Sequence, residues 1–180
     1  MTNNTQINLI TSMNLAWLEF ISWNRFTFFS IAENQNNIEL TKSRLFKTPK
    51  TISNIFKKYY GNSSANIINA LLNNHLEITY SLTLAFKNNH QRNIDELTKT
   101  YYINANNIIT EFNRLTPFYL KTDLQELLYN HLNLTISEIS TIIKNDYITE
   151  LALYDKIQQN ILQLSNFLII GIFREFPDLF

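Results

Sequence analysis

Only five residues in this 180-residue chain are strong breakers of regular structure: Gly61, Gly171, Pro49, Pro117 and Pro177. Glycine supplies positive φ and close backbone approach, and proline ends helices and central strands, so a chain this poor in both is confined to long, uninterrupted elements. Between the breaks the apolar residues return every three or four positions. That is the helical period, and not the alternation of a half-buried strand.

Polar clusters supply the remaining punctuation. Asn34-Gln35-Asn36-Asn37, Asn88-Asn89-His90 and Asn145-Asp146 separate long segments, and Pro49 and Gly61 bracket a short one. The first helix is predicted over roughly 7–33, with Ile10, Met13, Trp17, Phe20, Asn24, Phe28 and Ile31 on one face. The next runs over about 63–87, with Ser63 or Ser64 as N-cap and Ile68, Leu71, His75, Ile78 and Leu82 inward. A third, over about 94–115, turns Leu97, Tyr101, Ala105, Ile108, Phe112 and Leu115 to the core. A fourth, over about 123–144, opens on Thr122-Asp-Leu-Gln125, the spacing of a capping box, and buries Leu124, Leu128, His131, Thr135, Glu138 and Ile142. The last, over about 147–175, presents Leu153, Ile157, Asn160, Leu164, Phe167 and Gly171. Amphipathic helices joined by short turns pack as antiparallel neighbours. The expected fold is therefore all-α, one domain over residues 1–180. It is an up-and-down antiparallel bundle of five long helices, with one or two short helices around residues 38–60 that cap an end or cross between two long members.

Composition excludes several functions. Two glycines cannot build a glycine-cradled phosphate loop, which removes Rossmann and Walker-type nucleotide sites. The absence of cysteine removes thiol nucleophiles, iron–sulfur clusters and cysteine-based zinc sites. No serine lies in a Gly-x-Ser-x-Gly turn, and His90 sits in a polar loop, so no hydrolytic set is evident. Asparagine occurs 26 times and isoleucine 24 times while valine is absent, and the asparagines are spread along the chain; the skew reads as codon composition and not as a functional tract. Residues 1–10 carry no basic group of a secretory signal, and the stretch 157–173 is interrupted by Gln, Ser and Asn. The expectation is a soluble, cytoplasmic chain with no membrane span.

Three groups of residues carry candidate chemistry. Near helix midpoints, His75 and His131 fall at similar heights in an antiparallel bundle, with Glu138 two turns beyond His131 and with Asn24 and Asn160 completing a polar core layer. Two imidazoles and a carboxylate are ligands for iron or zinc, and imidazoles also hold haem. Against that reading, the Glu-x-x-His pairs of di-iron bundles are absent, since Leu72 and Leu128 precede the two histidines by three residues. A hydrogen-bonded core layer with no cofactor is the expectation. Second, Lys42, Arg44, Lys47, Lys50, Lys57 and Lys58 lie among Phe46, Phe56, Tyr59 and Tyr60 with no acid between Glu39 and Glu77. Arg44, Lys47 and Lys50 are the candidate anion-binding set, beside the simpler reading of a solvated face. The chain as a whole carries 15 basic and 15 acidic groups, which argues against nucleic acid. The basic first half and acidic second half favour head-to-tail contacts, so a homo-oligomer is one expected partner. Third, Glu19, Arg25, Tyr154 and Asp155 are expected to form a polar network tying helices together.

The order of these features resembles a known family. Trp17-x-Glu19-x-x-x-Trp23-x-Arg25, Arg44-Leu45-x-x-x-Pro49-Lys50, Tyr59-Tyr60-Gly61, His75-Leu76, Asn104-Ala105, His131-Leu132-x-Leu134-Thr135-x-x-Glu138 and Tyr154-Asp155-x-Ile157 are similar to motifs of an uncharacterised family of small all-helical bacterial proteins, often labelled acetylglutamate kinase. The resemblance covers about residues 15–177. It implies four central imidazoles in a typical member, with His at the positions of Phe20 and Asn160, so this chain keeps only His75 and His131. The kinase label conflicts with a chain that lacks both strands and phosphate-binding glycines. The function expected is that of a non-enzymatic binding or interaction protein with an unknown protein or small-molecule partner; the alternative is a metal- or haem-binding bundle built on the histidine layer. An enzyme acting on a small anion near residues 42–58 is a third reading, without a nucleophile or acid–base pair to support it.

Overall fold

The computed structural model describes residues 4–180, and these are helical almost throughout. Helix α1 spans Asn4–Ala32, α2 Ile38–Leu45, α3 Thr48–Lys87, α4 Gln91–Leu115, α5 Lys121–Ile143 and α6 Tyr147–Glu175, followed by a 3₁₀ turn at Pro177–Leu179. Helix α3 is two arms joined at Gly61, whose φ of 79° and ψ of −179° break the helix. The five long helices are α1, the second arm of α3 (62–87), α4, α5 and α6. The two short ones, α2 and the first arm (48–60), lie where the spacing of Pro49 and Gly61 put them.

Side-chain contacts give the helix directions. His75 meets Asn104, and Arg114 meets Ser64, so α3 and α4 are antiparallel. Tyr102 to Asn133 and Tyr129 to Asn106 do the same for α4 and α5, and Arg25 to Glu150 with Ser22 to Tyr154 for α1 and α6. The α1–α3 pair differs: Phe20 faces His75, Asn24 faces Thr79, and the Lys87 ammonium reaches the Ile31 carbonyl, so both helices run the same way. A closed ring of five alternating helices must contain one parallel pair, because five is odd. Parallel neighbours need a long return connection, and residues 33–61 provide it by running back along α1.

The two ends of the bundle stop their helices differently. At one end α1, α3 and α5 terminate in Asn34, Asn89 and Asn145, with φ of 53°, 53° and 59°. Each is followed by a six-to-one backbone bond: Gln35 to Ser30, His90 to Ala85, and Asp146 to Thr141. This is the Schellman termination with asparagine in place of glycine. At the other end α4 and α6 run into Thr116-Pro117 and Phe176-Pro177, where the missing N–H stops the helix. Two predicted caps are not used. Helix α5 begins at Lys121 with Leu120 at the N-cap position, so Thr122 lies inside the first turn and its hydroxyl meets Asp123 instead. Ser64 lies within α3, three residues past the break, and accepts from Arg114.

Every predicted inward position is buried or half-buried. The largest apolar cluster joins Met13, Trp17, Phe20, Phe56, Leu72, Phe112, Leu124 and Leu164. The proline end is floored by aromatic rings, with Tyr59 and Tyr60 against Phe176 at 5.7 and 5.4 Å between centroids. Among the described residues no helix is long and apolar enough to cross a membrane.

Candidate functional site: a polar layer inside the ring

Helix α5 touches α1 and α3 across the ring as well as its neighbours α4 and α6, so its inward residues are central. His131 is one of them. Its ring lies nearly parallel to that of His75 from α3, with centroids 5.9 Å apart and planes 17° apart. Tyr101 from α4 covers His75 at 4.5 Å, and Phe20 from α1 lies at 6.1 Å. The two histidines predicted to share a layer do so, and apolar and aromatic rings fill the space beside them.

Their hydrogen bonding differs. The Asn104 amide donates to the Leu71 carbonyl at 3.1 Å, which turns its oxygen toward His75. A carbonyl oxygen only accepts, so His75 Nδ1 must donate to it over 2.8 Å, and the neutral ring keeps its lone pair on Nε2. His131 has neither ring nitrogen hydrogen-bonded to protein. Burial lowers the proton affinity of both. His75 is pushed down to about 4, against the opposing bond to Asn104, and His131 to about 3, with the positive charge of a protonated His75 adding to the effect.

Asn160, on α6, donates to the Leu127 carbonyl at 3.1 Å, one turn before His131, while its own buried oxygen has no protein partner. Asn24 accepts from Thr79 at 3.5 Å, one turn from Phe20. The expected polar layer is thus spread over about two helical turns. Tyr101 places its buried hydroxyl near Thr135 without a hydrogen bond of normal geometry.

Glu138 does not join the imidazoles. Seven residues along α5 from His131 correspond to roughly 10 Å of rise, and its carboxyl instead acts on Glu150 and Arg25. Among the described residues no three His, Cys, Asp or Glu side chains are grouped so as to hold a metal ion. Glu150 was not anticipated, although it continues the inward face of α6 one heptad before Ile157. It is 1% exposed and accepts Arg25 through two bonds, from Nε at 2.5 Å and Nη2 at 2.9 Å. The guanidinium lies against the Tyr154 and Phe29 rings at 4.6 and 5.0 Å. Burial, and then the Glu150 charge, raise the Glu138 carboxyl to about 8.

The three anion-binding candidates stand in different surroundings. Arg44 is bonded to Glu19 at 2.8 Å and lies on the Trp23 ring, while Lys47 and Lys50 are exposed on the outer face of the return segment. Lys42 lies over Tyr80 at 4.0 Å. Of the predicted network, Glu19, Arg25 and Tyr154 tie helices together; Asp155 is exposed.

An aromatic cleft of about 470 Å³ lies between α1 and α2, lined by Trp23, Arg25, Phe26, Phe29, Glu33 and Thr41 among others. Phe26 is 52% exposed there, and Leu40, on α2, is 74% exposed. No family model, curated protein or solved structure matches this chain.

Proposed function

We propose that this chain is a non-catalytic binding protein, acting in the cytoplasm, whose buried polar layer fixes helix register and whose recognition surface is the aromatic cleft between α1 and α2. One observation carries the reading: titratable character and openness are in different places. His75, His131 and Glu138 have displaced proton affinities and are nearly inaccessible. The open cleft presents Trp23, Phe26 and Phe29, and its cation, Arg25, is already paired with Glu150. Rings displayed beside a neutralised cation suit an apolar or aromatic group of a protein or small-molecule partner better than bond-making chemistry.

Trp23 lines the cleft and Trp17 is the only other tryptophan, so a Trp17→Phe variant reports on the cleft alone. Fractions of a native-cell extract titrated into it should include one that shifts the emission, and Phe26→Asp in the same background should abolish the shift. Emission that no fraction moves, or a shift that survives Phe26→Asp, contradicts the proposal.

A second reading, a transition metal held by His75 and His131, is supported by the two unpaired nitrogens of His131, since a buried imidazole without a partner is costly. Asn104 leaves His75 Nε2 as the available donor on its ring. Haem suits the layer less well, because the Phe20 and Tyr101 rings occupy the flanks such a macrocycle needs. Elemental analysis and an absorption spectrum, beside a His75→Ala/His131→Ala variant, decide this reading: near-stoichiometric metal lost in the variant supports it. Protein that stays metal-free and colourless after incubation with iron, zinc and haem eliminates it.

A further inference from the structure

Two buried carboxyl groups lie where α1, α5 and α6 meet: Glu150 is bonded to Arg25, and Glu138 stands outside ion-pair distance of the same guanidinium but within reach of its charge. Arg25 spends Nε and Nη2 on Glu150, and the buried Glu138 Oε1 receives no hydrogen bond from protein. Two carboxylates and one cation would leave a net negative charge with one oxygen unsolvated, the arrangement in which one carboxyl keeps its proton. We infer that Glu138 is a proton-holding acid inside the bundle, and that its ionisation loosens the α1–α5–α6 junction as a pH-responsive element. The inference is independent of what the aromatic cleft binds.

Among the described residues Arg25 is the one cation whose charge acts on Glu138. From α1 comes Arg25, and from α6 Glu150, with Tyr154 on the far side of the guanidinium. Tyr101 of α4 is near enough to feel the Glu138 charge. Helix α3 packs apolar Leu82 against Ile139 at this height, with neutral Thr79 a turn below and His75 two turns below, level with His131 of α5. Once ionised, Glu138 competes with Glu150 for Arg25, and the Arg25–Glu150 pair is, with Ser22–Tyr154 and Ser165–Asn14, one of the polar links between α1 and α6. The Arg25 side chain forms part of the cleft wall, so the change reaches the surface.

The test is urea unfolding of the full chain and of Glu138→Gln, which keeps the shape and cannot ionise, from about pH 6.5 to about pH 9. In the wild type the unfolding equilibrium constant should rise about tenfold per pH unit up to about pH 8. In Glu138→Gln that rise should be absent. Parallel profiles, or a Gln variant that is less stable by the same factor at every pH, overturn the inference, since Glu138 would then be acting as a carboxylate. Should the variant not fold, infrared spectra of the wild type with isotope-labelled glutamate decide: a protonated carboxylic-acid carbonyl band near neutral pH that vanishes by about pH 9 supports it, and its absence near neutral pH overturns it.

Discussion

His75 and His131 are equally buried and lie 5.9 Å apart, yet they stand in opposite relations to the fold. His75 is held by Asn104, which is held in turn by the Leu71 carbonyl, so removing the ring strands a buried amide oxygen. His75→Leu should cost about 2 kcal/mol in urea unfolding, within the range for leaving one buried polar group unsatisfied. His131 has no such partner, and His131→Leu should be neutral or stabilising by about 1 kcal/mol, because it replaces two unpaired nitrogens with apolar volume. A large loss from His131→Leu would instead mean that its nitrogens have a ligand. Protons act on these residues with opposite signs. Below the ordinary imidazole value of 6.5 the unfolded chain protonates both histidines while the folded chain resists until about 4 and about 3, so stability falls as pH drops through that window. Between 4.5 and about 8 folded Glu138 holds a proton that the unfolded chain releases, so stability falls as pH rises. Two groups outweigh one below about pH 6.5 and the acid acts alone above it, which places the stability maximum near pH 6.5, with slopes of about 1.4 kcal/mol per pH unit on either side. A midpoint that climbs steadily from about pH 6 to pH 9 would contradict that sign.

Among the helices, the informative residues are those that stop them. With glycine at only two positions, three left-handed terminations fall to asparagine, the side chain that best tolerates that conformation. Part of the asparagine load that reads as codon composition is therefore structural at Asn34, Asn89 and Asn145. Replacing Asn89 or Asn145 with alanine should cost about 1 kcal/mol, and with glycine should be neutral or slightly favourable. Gly171 is constrained by its neighbour, since a Cβ there would run into the Tyr119 ring, whose hydroxyl bonds the Leu168 carbonyl at 2.6 Å. Gly171→Ala should destabilise by about 1–3 kcal/mol, the usual cost of overpacking, read as a lower urea midpoint with unchanged slope. The helices themselves were legible because a 3.6-residue period over five long segments leaves little room for another assignment. Their N-caps were not, because Thr122-x-x-Gln125 satisfies a spacing rule while the turn after Pro117 already starts the helix at Lys121.

The whole molecule is governed by the parity of its ring. Five long helices force one parallel pair, and the return segment 33–61 follows from that. Its basic residues accordingly divide between contacts with the long helices, at Lys42 and Arg44, and an exposed outer face, at Lys47, Lys50, Lys57 and Lys58. Core membership could be read from the sequence, and so could the meeting of His75 with His131. The position of Glu138 could not, because a face drawn along one helix does not say which residue arrives opposite; that depends on the α1–α6 contact, which brings Arg25 and Glu150 from sites 125 residues apart. This contact closes the ring together with Ser22–Tyr154 and Ser165–Asn14. Arg25→Met should cost about 3–5 kcal/mol near neutral pH, since it leaves Glu150 buried without its cation. Adding Glu150→Leu should recover most of the loss, so a double variant no more stable than Arg25→Met would show that the ring closes by other means.

The central claim is that the interior polar layer is shut from solvent with its histidines neutral. Long-range ¹⁵N–¹H correlation spectra of the imidazoles, from about pH 8 down to about pH 5, test it most directly, since an unperturbed ring would gain its charge within that span. The account predicts neutral rings throughout, with the His75 proton on Nδ1. A His75 proton on Nε2, or either buried ring becoming cationic near pH 6.5, would contradict it.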